Sequence, residues 1–117
     1  MADKKKYMIL IFGTGEGVQT LPEKERTAHM GKWFAWNKEL QDKGFLLSGD
    51  AFFPKAQVIK GKGKSVKTGF YVPNKEHVVG GYYLIKAADM DEAVLVAKGC
   101  PTFELDGAVE VREIMEM

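Results

Sequence analysis

The segment His77-Val78-Val79-Gly80-Gly81-Tyr82-Tyr83-Leu84-Ile85-Lys86-Ala87 constrains this chain more than any other. It holds no proline, and β-branched and aromatic side chains run through it almost without a break, the composition of a strand. A strand that is apolar on both faces has to be covered on both, so the pattern predicts a central place in a sheet. Gly80 and Gly81 weaken a strand interior, and glycines of that kind mark the close approach of a helix, a second subunit or a ligand.

The chain in order supplies the partners. Lys6-Tyr7-Met8-Ile9-Leu10-Ile11-Phe12 is a second mostly apolar run, predicted beside Val78–Ala87, and Gly13-Thr14-Gly15-Glu16-Gly17 breaks it into a loop. Thr20-Leu21-Pro22-Glu23 has the form of a capping box with Pro22 in the first turn. The helix it opens runs to about Lys43, where Gly44 stops it. Met30, Trp33, Trp36, Asn37 and Leu40 form its apolar stripe, with His29 beside Trp33 on the same side. Phe45–Phe53 reads as a strand ended by Pro54. Ala56–Lys60 and Ser65–Val72 flank Gly61-Lys62-Gly63-Lys64 as a hairpin, and Pro73-Asn74 turns the chain into the central strand. Asp89-Met90-Asp91-Glu92 caps a short helix through Lys98 or Gly99, and Ala108–Arg112 alternates as a strand with one exposed face.

This order is α+β: two βαβ units around a hairpin, the ferredoxin-like split βαβ plan, with both helices on one face of an antiparallel sheet. At 117 residues it forms one domain, 1–117. The plan leaves the other sheet face bare. Phe12, the pair Tyr82-Tyr83 and the apolar half of the last strand are more than a monomer exposes, so a homodimer through the sheet faces is expected, a dimeric α/β-barrel-type association.

Charge narrows the partners. Seventeen basic and 16 acidic residues leave a net charge of +1, which provides no global field for nucleic acid or an anionic membrane. Lys4-Lys5-Lys6 reads as a solvated terminus. Lys60, Lys62, Lys64 and Lys67 read as a solvated hairpin without the interleaved aromatics of a single-strand platform. Cys100 is the only cysteine, so no intrachain disulfide forms, and no N-terminal apolar run has the length of a signal or spanning segment. A cytoplasmic protein is expected.

Several motifs fail on inspection. A dinucleotide loop at Gly13–Gly17 needs a glycine where Val18 stands, and Glu16 repels a pyrophosphate. Gly63-Lys64-Ser65 lacks the P-loop glycine, which is Val58, and precedes a strand. Two distant histidines and one cysteine show no metal-ligand spacing, so neither a metal nor a cofactor is expected. Cys100 ends a helix whose dipole disfavours a thiolate there, and it reads as a small buried hydrophobe; His77 reads as solvated at a turn.

His29 is what remains. A histidine near neutrality donates, accepts or shuttles a proton, and helical spacing sets this one near Trp33 and the sheet. Ser48 and Asp50 share one face of the next strand, and Asp50 is placed to orient His29 or to act as an acid or base itself. The plain alternative is a half-buried histidine bonded to a backbone carbonyl, with Asp50 a polar strand end.

Lys6–Gly13, Glu25–Met30 with His29, Ser48-Gly49-Asp50-Ala51, Lys75–Ile85, Ala97–Pro101 and Gly107–Met115 together resemble the YCII-related family, in its DGPF branch. The likeness spans nearly the whole chain. The Asp-Gly-Pro-Phe segment itself is not retained, since Lys67-Thr68-Gly69-Phe70-Tyr71-Val72 occupies the region. The resemblance implies a ferredoxin-like α+β subunit that dimerises through its sheets. It also implies a histidine on the first helix, matching His29, paired with an aspartate before the proline that follows the second helix; Cys100 stands at that position here.

The leading expectation is a small dimeric domain that binds a small organic, aromatic or polar molecule in a helix–sheet pocket. His29 and Asp50 are its acid/base candidates for a lyase- or hydrolase-type step, and Trp33, Ser48, Tyr82 and Tyr83 its binding candidates. The competing expectation is a non-enzymatic binding or regulatory module. There Trp33, Trp36 and Phe34 fill the interface, and the same residues serve core packing and dimerisation.

Overall fold

A computed structural model of the chain describes residues 4–13, 20–71 and 77–116. In chain order its elements are β1 (Lys5–Gly13), α1 (Glu23–Asp42), β2 (Leu46–Ala51), β3 (Gln57–Lys60), β4 (Ser65–Thr68), β5 (Val78–Ala87), α2 (Met90–Ala97), a 3-10 helix (Pro101–Leu105) and β6 (Ala108–Glu113). The architecture is mixed, with two helices and an antiparallel sheet. The glycine loop at 14–17 and the Pro73-Asn74 turn lie outside the described residues.

The apolar segment at 78–87 takes the interior place its composition demands. The four-stranded sheet has the order β2-β5-β1-β6, and every neighbouring pair is antiparallel. Tyr7, Ile9 and Ile11 of β1 and Ile85 and Ala87 of β5 point to one face, where Trp36 and Leu40 of α1 and Ala93 and Ala97 of α2 cover them. Both helices therefore sit on that face. The alternate residues Met8, Leu10, Phe12, Tyr82 and Leu84 face the other way and are half-buried.

Gly80 and Gly81 answer to a neighbouring strand. A Cβ on Gly81 would lie 2.8 Å from the carbonyl oxygen of Asp50 on β2, so strand backbone is what approaches there. The β1–β5 register passes from Ile11–Gly81 to Phe12–Val79 and skips Gly80, a bulge that kinks the start of β5.

Local chemistry explains where the elements depart from expectation. Pro22 is extended (φ −54°, ψ 151°) and stands at the N-cap, before the first helical turn rather than inside it. Glu23 and Glu25 in the first turn complement the helix dipole. Gly44 ends α1 at φ +79°, as its position predicts. Asp89 caps α2 by accepting the Glu92 amide. β2 ends at Ala51, although the Phe52 amide still donates to the Gly80 carbonyl of β5 at 2.9 Å. The β3–β4 hairpin forms its own two-stranded sheet.

The open face carries less apolar surface than the sequence pattern promised. Val109 and Val111 of β6 turn inward against the core, leaving Ala108, Glu110 and Arg112 outside. The tyrosine pair also divides, because adjacent strand residues point to opposite faces: only Tyr82 is on the open side. No helix among the described residues is long and apolar enough to cross a membrane.

Candidate functional site

α1 is polar over most of its surface and buries a narrow stripe, His29, Trp36 and Leu40, with Trp33 half-buried between them. The i, i+4, i+7 spacing puts His29, Trp33 and Trp36 on the side that meets the sheet. Trp36 stacks on Tyr83 of β5 at 4.8 Å and 21° between ring planes. Gly49 of β2 makes room for that tyrosine, since a Cβ there would meet the ring at 2.8 Å.

Beside this stack lies a cleft of about 450 Å³. His29, Trp33 and Phe34 of α1 line it together with Phe52, Phe53 and Phe70. The kinked start of β5, with Gly80 and Gly81, also lines it. Phe34 and Phe53 are 69% and 86% exposed, so the aromatic rim faces solvent while the histidine at its wall is only 5% exposed. A hollow of about 770 Å³ between α1 and α2 is bordered instead by Lys32, Glu39, Lys43 and Glu92. The first cleft, largely apolar with two buried polar residues, His29 and Thr102, is the better small-molecule site.

The contacts of His29 fix its tautomer. The Trp33 indole Nε1–H donates to His29 Nε2 at 3.0 Å. An indole nitrogen has no acceptor capacity, so Nε2 must present its lone pair. The neutral ring then carries its proton on Nδ1, which lies 3.4 Å from Glu104 Oε2. The other oxygen of Glu104 is held by Lys32 Nζ. That lysine, opposed in part by burial and aided by His29, keeps the Glu104 carboxyl below the usual carboxylate range. Glu104 is therefore an ionised acceptor that orients the imidazole.

No motif or spacing in the sequence marks Glu104. It sits four residues past Cys100, on the 3-10 helix that Pro101 opens, and that single helical turn brings it under α1. A carboxylate just after a helix end and a proline was the only signal available. Cys100 is buried at 3% exposure, and burial pushes its thiol up to about 11. It packs in the core and offers no carboxylate to His29. Thr102, also buried, spends its hydroxyl on the Phe12 carbonyl.

The expected site residues fall into two groups. His29, Trp33 and Tyr83 lie together on the helix-covered face. Ser48, Asp50 and Tyr82 lie together on the open face, where the Tyr82 hydroxyl donates to Asp50 Oδ2 at 2.9 Å. Hydrogen bonding to that carboxylate, with burial second, raises the Tyr82 phenol above its ordinary range. Asp50 borders the cleft along β2, but its carboxylate is committed to Tyr82. The orienting partner of His29 is Glu104 and not Asp50. The reason is parity: Gly49 pairs with Tyr83 and Asp50 with Tyr82, so Ser48 and Asp50 look away from α1. His77 is likewise not merely solvated, because its Nε2 lies 3.0 Å from the carbonyl of Asp106. Among the described residues no three His, Cys, Asp or Glu side chains converge as a metal site.

The fold and the cleft define a small α+β domain with a histidine–carboxylate pair set into an aromatic pocket. A family profile for the YCII-related domain matches residues 6–117, and the chain belongs to that family. No curated protein sequence matches it.

Proposed function

We propose that this YCII-related protein binds a small aromatic molecule in the cleft between α1 and the sheet, with His29 as acid or base for a lyase- or hydrolase-type step. The observation that carries this reading is a nearly buried histidine with one tautomer, held by an ionised glutamate, at the wall of an aromatic cleft of about 450 Å³. That volume lies in the range of small-molecule sites. Lone-pair geometry sets the role: Nε2 is the basic nitrogen, and it becomes available once Trp33 moves off it.

The strand order, with β5 inserted between β1 and β2, supports the ferredoxin-like split plan. Met8, Leu10, Phe12, Tyr82 and Leu84 on the open face support pairing of two subunits sheet to sheet in a dimeric α/β barrel. The likeness of residues 48–51 and 75–85 to the DGPF branch supports placement there, and a lone cysteine, buried and unreactive, supports a cytoplasmic setting.

The test is a binding and turnover screen of small aromatic compounds against the natural chain and His29→Asn. The asparagine variant is expected to keep the fold and lose turnover. Unchanged turnover in His29→Asn would remove the histidine from the chemistry.

A further inference from the structure

We propose that Trp33 is a placeholder for the ligand's own hydrogen-bond donor: the molecule this cleft accepts carries an N–H or O–H on an aromatic frame and displaces the Trp33 indole from His29 Nε2. This rests on the cleft being a ligand site, and it specifies what that ligand must offer.

Three observations converge. The lone pair of Nε2 belongs to a residue 5% exposed, and the indole satisfies it at 3.0 Å. The opposite nitrogen is tied to Glu104, so the ring does not turn over to present an N–H to the cleft without losing that contact. Both His29 and Trp33 line the cleft, so the N–H···N bond lies at its wall and not within the core.

Trp33 is also the tryptophan that can leave. Trp36 is stacked face to face on Tyr83 and is buried. Trp33 meets the same two rings less intimately, edge-on to Trp36 at 5.9 Å and tilted to Tyr83 at 6.2 Å, and is only half-buried. Its departure leaves the Trp36–Tyr83 stack standing. An entering molecule with a donor exchanges one bond to Nε2 for another. A molecule of the same shape without a donor leaves a buried acceptor unsatisfied and binds about tenfold more weakly.

Indole and 1-methylindole form a pair of probes that differ in the ring N–H and in the methyl group that replaces its hydrogen. The chain has two tryptophans, hence two indole N–H resonances, and Trp33→Phe identifies the one belonging to Trp33. Titrating the natural protein with indole is expected to move that resonance to saturation, with 1-methylindole about tenfold weaker. Trp33→Phe has no indole to displace, so indole binds it about fivefold more tightly. A loss of affinity in that variant counts against the proposal. Equal affinity for the two probes, or a Trp33 resonance unmoved at saturation, overturns the placeholder while leaving the ligand site intact. If neither probe binds, in the natural chain or in Trp33→Phe, both readings fall together.

Discussion

The two faces of the four-stranded sheet are built from the same strands and do opposite things. On one, Tyr7, Ile9 and Ile85 vanish beneath two helices, and the polar groups that enter do so fully partnered: His29 between Trp33 and Glu104, Tyr7 donating to Glu113. On the other, Tyr82 and Asp50 satisfy each other amid half-buried apolar neighbours that no element of the described chain covers. The difference shows that period-two alternation creates two surfaces, and that the helices decide which becomes a core and which stays uncovered by them.

The sharpest way to separate the faces is to damage each in turn. Trp36→Ala removes a buried ring and its stack on Tyr83 and is expected to cost about 3–5 kcal/mol, read from urea unfolding. That loss should be the same at low and high protein concentration, because the contact lies within one chain. Leu84→Glu on the open face has a different signature. If the proposed pairing holds, this variant is expected to stay folded and to sediment as a monomer where the natural chain sediments as a dimer. A natural chain that already sediments as a monomer at high concentration removes the proposed pairing, and the open face then needs another account.

Legibility from sequence followed the same divide. The interior strand was readable because Val78–Ala87 admits no other comfortable place, and His29 was readable because helical spacing ties it to Trp33 and Trp36. The face of Ser48 and Asp50 was not. Alternation puts them on the same side as each other, but the sign depends on Gly49 meeting Tyr83, a tertiary register that no local pattern contains. Glu104 was hidden for another reason: one turn of 3-10 helix after Pro101 is too short to leave a periodic trace. Phe52 and Phe53 continue β2 in the sequence as apolar residues, yet the strand ends at Ala51 and both residues line the cleft.

A smaller effect probes the helix-covered face from its rim. Glu104→Gln keeps the shape of the side chain and removes its charge. Because the folded-state carboxyl is held below its unfolded value, its contribution to stability is present above the ordinary carboxylate range. It disappears as the pH falls through the lowered folded value. Comparing unfolding midpoints of the two proteins across that acid range should show the natural chain losing its advantage as the pH drops. The variant should also weaken the tautomer preference of His29, visible as a smaller separation of its two ring nitrogen shifts. A midpoint difference that does not vary with pH would mean that the charge on Glu104 does no such work.

The smallest expected effect is the most discriminating between one site and two. Tyr82→Phe removes the hydroxyl that bonds Asp50 and leaves the ring, with its tilted contact to Phe52 at 6.0 Å, in place. The folded-state phenol is raised, so its stabilisation is present below the ordinary tyrosine value and fades as the pH rises through the raised one. The variant should therefore differ from the natural chain at neutral pH and converge on it under alkaline conditions. Indole affinity and the Trp33 resonance should not change, because the sheet backbone lies between Tyr82 and His29. A clear loss of indole affinity in Tyr82→Phe would join the two faces into one binding site and return Asp50 to it.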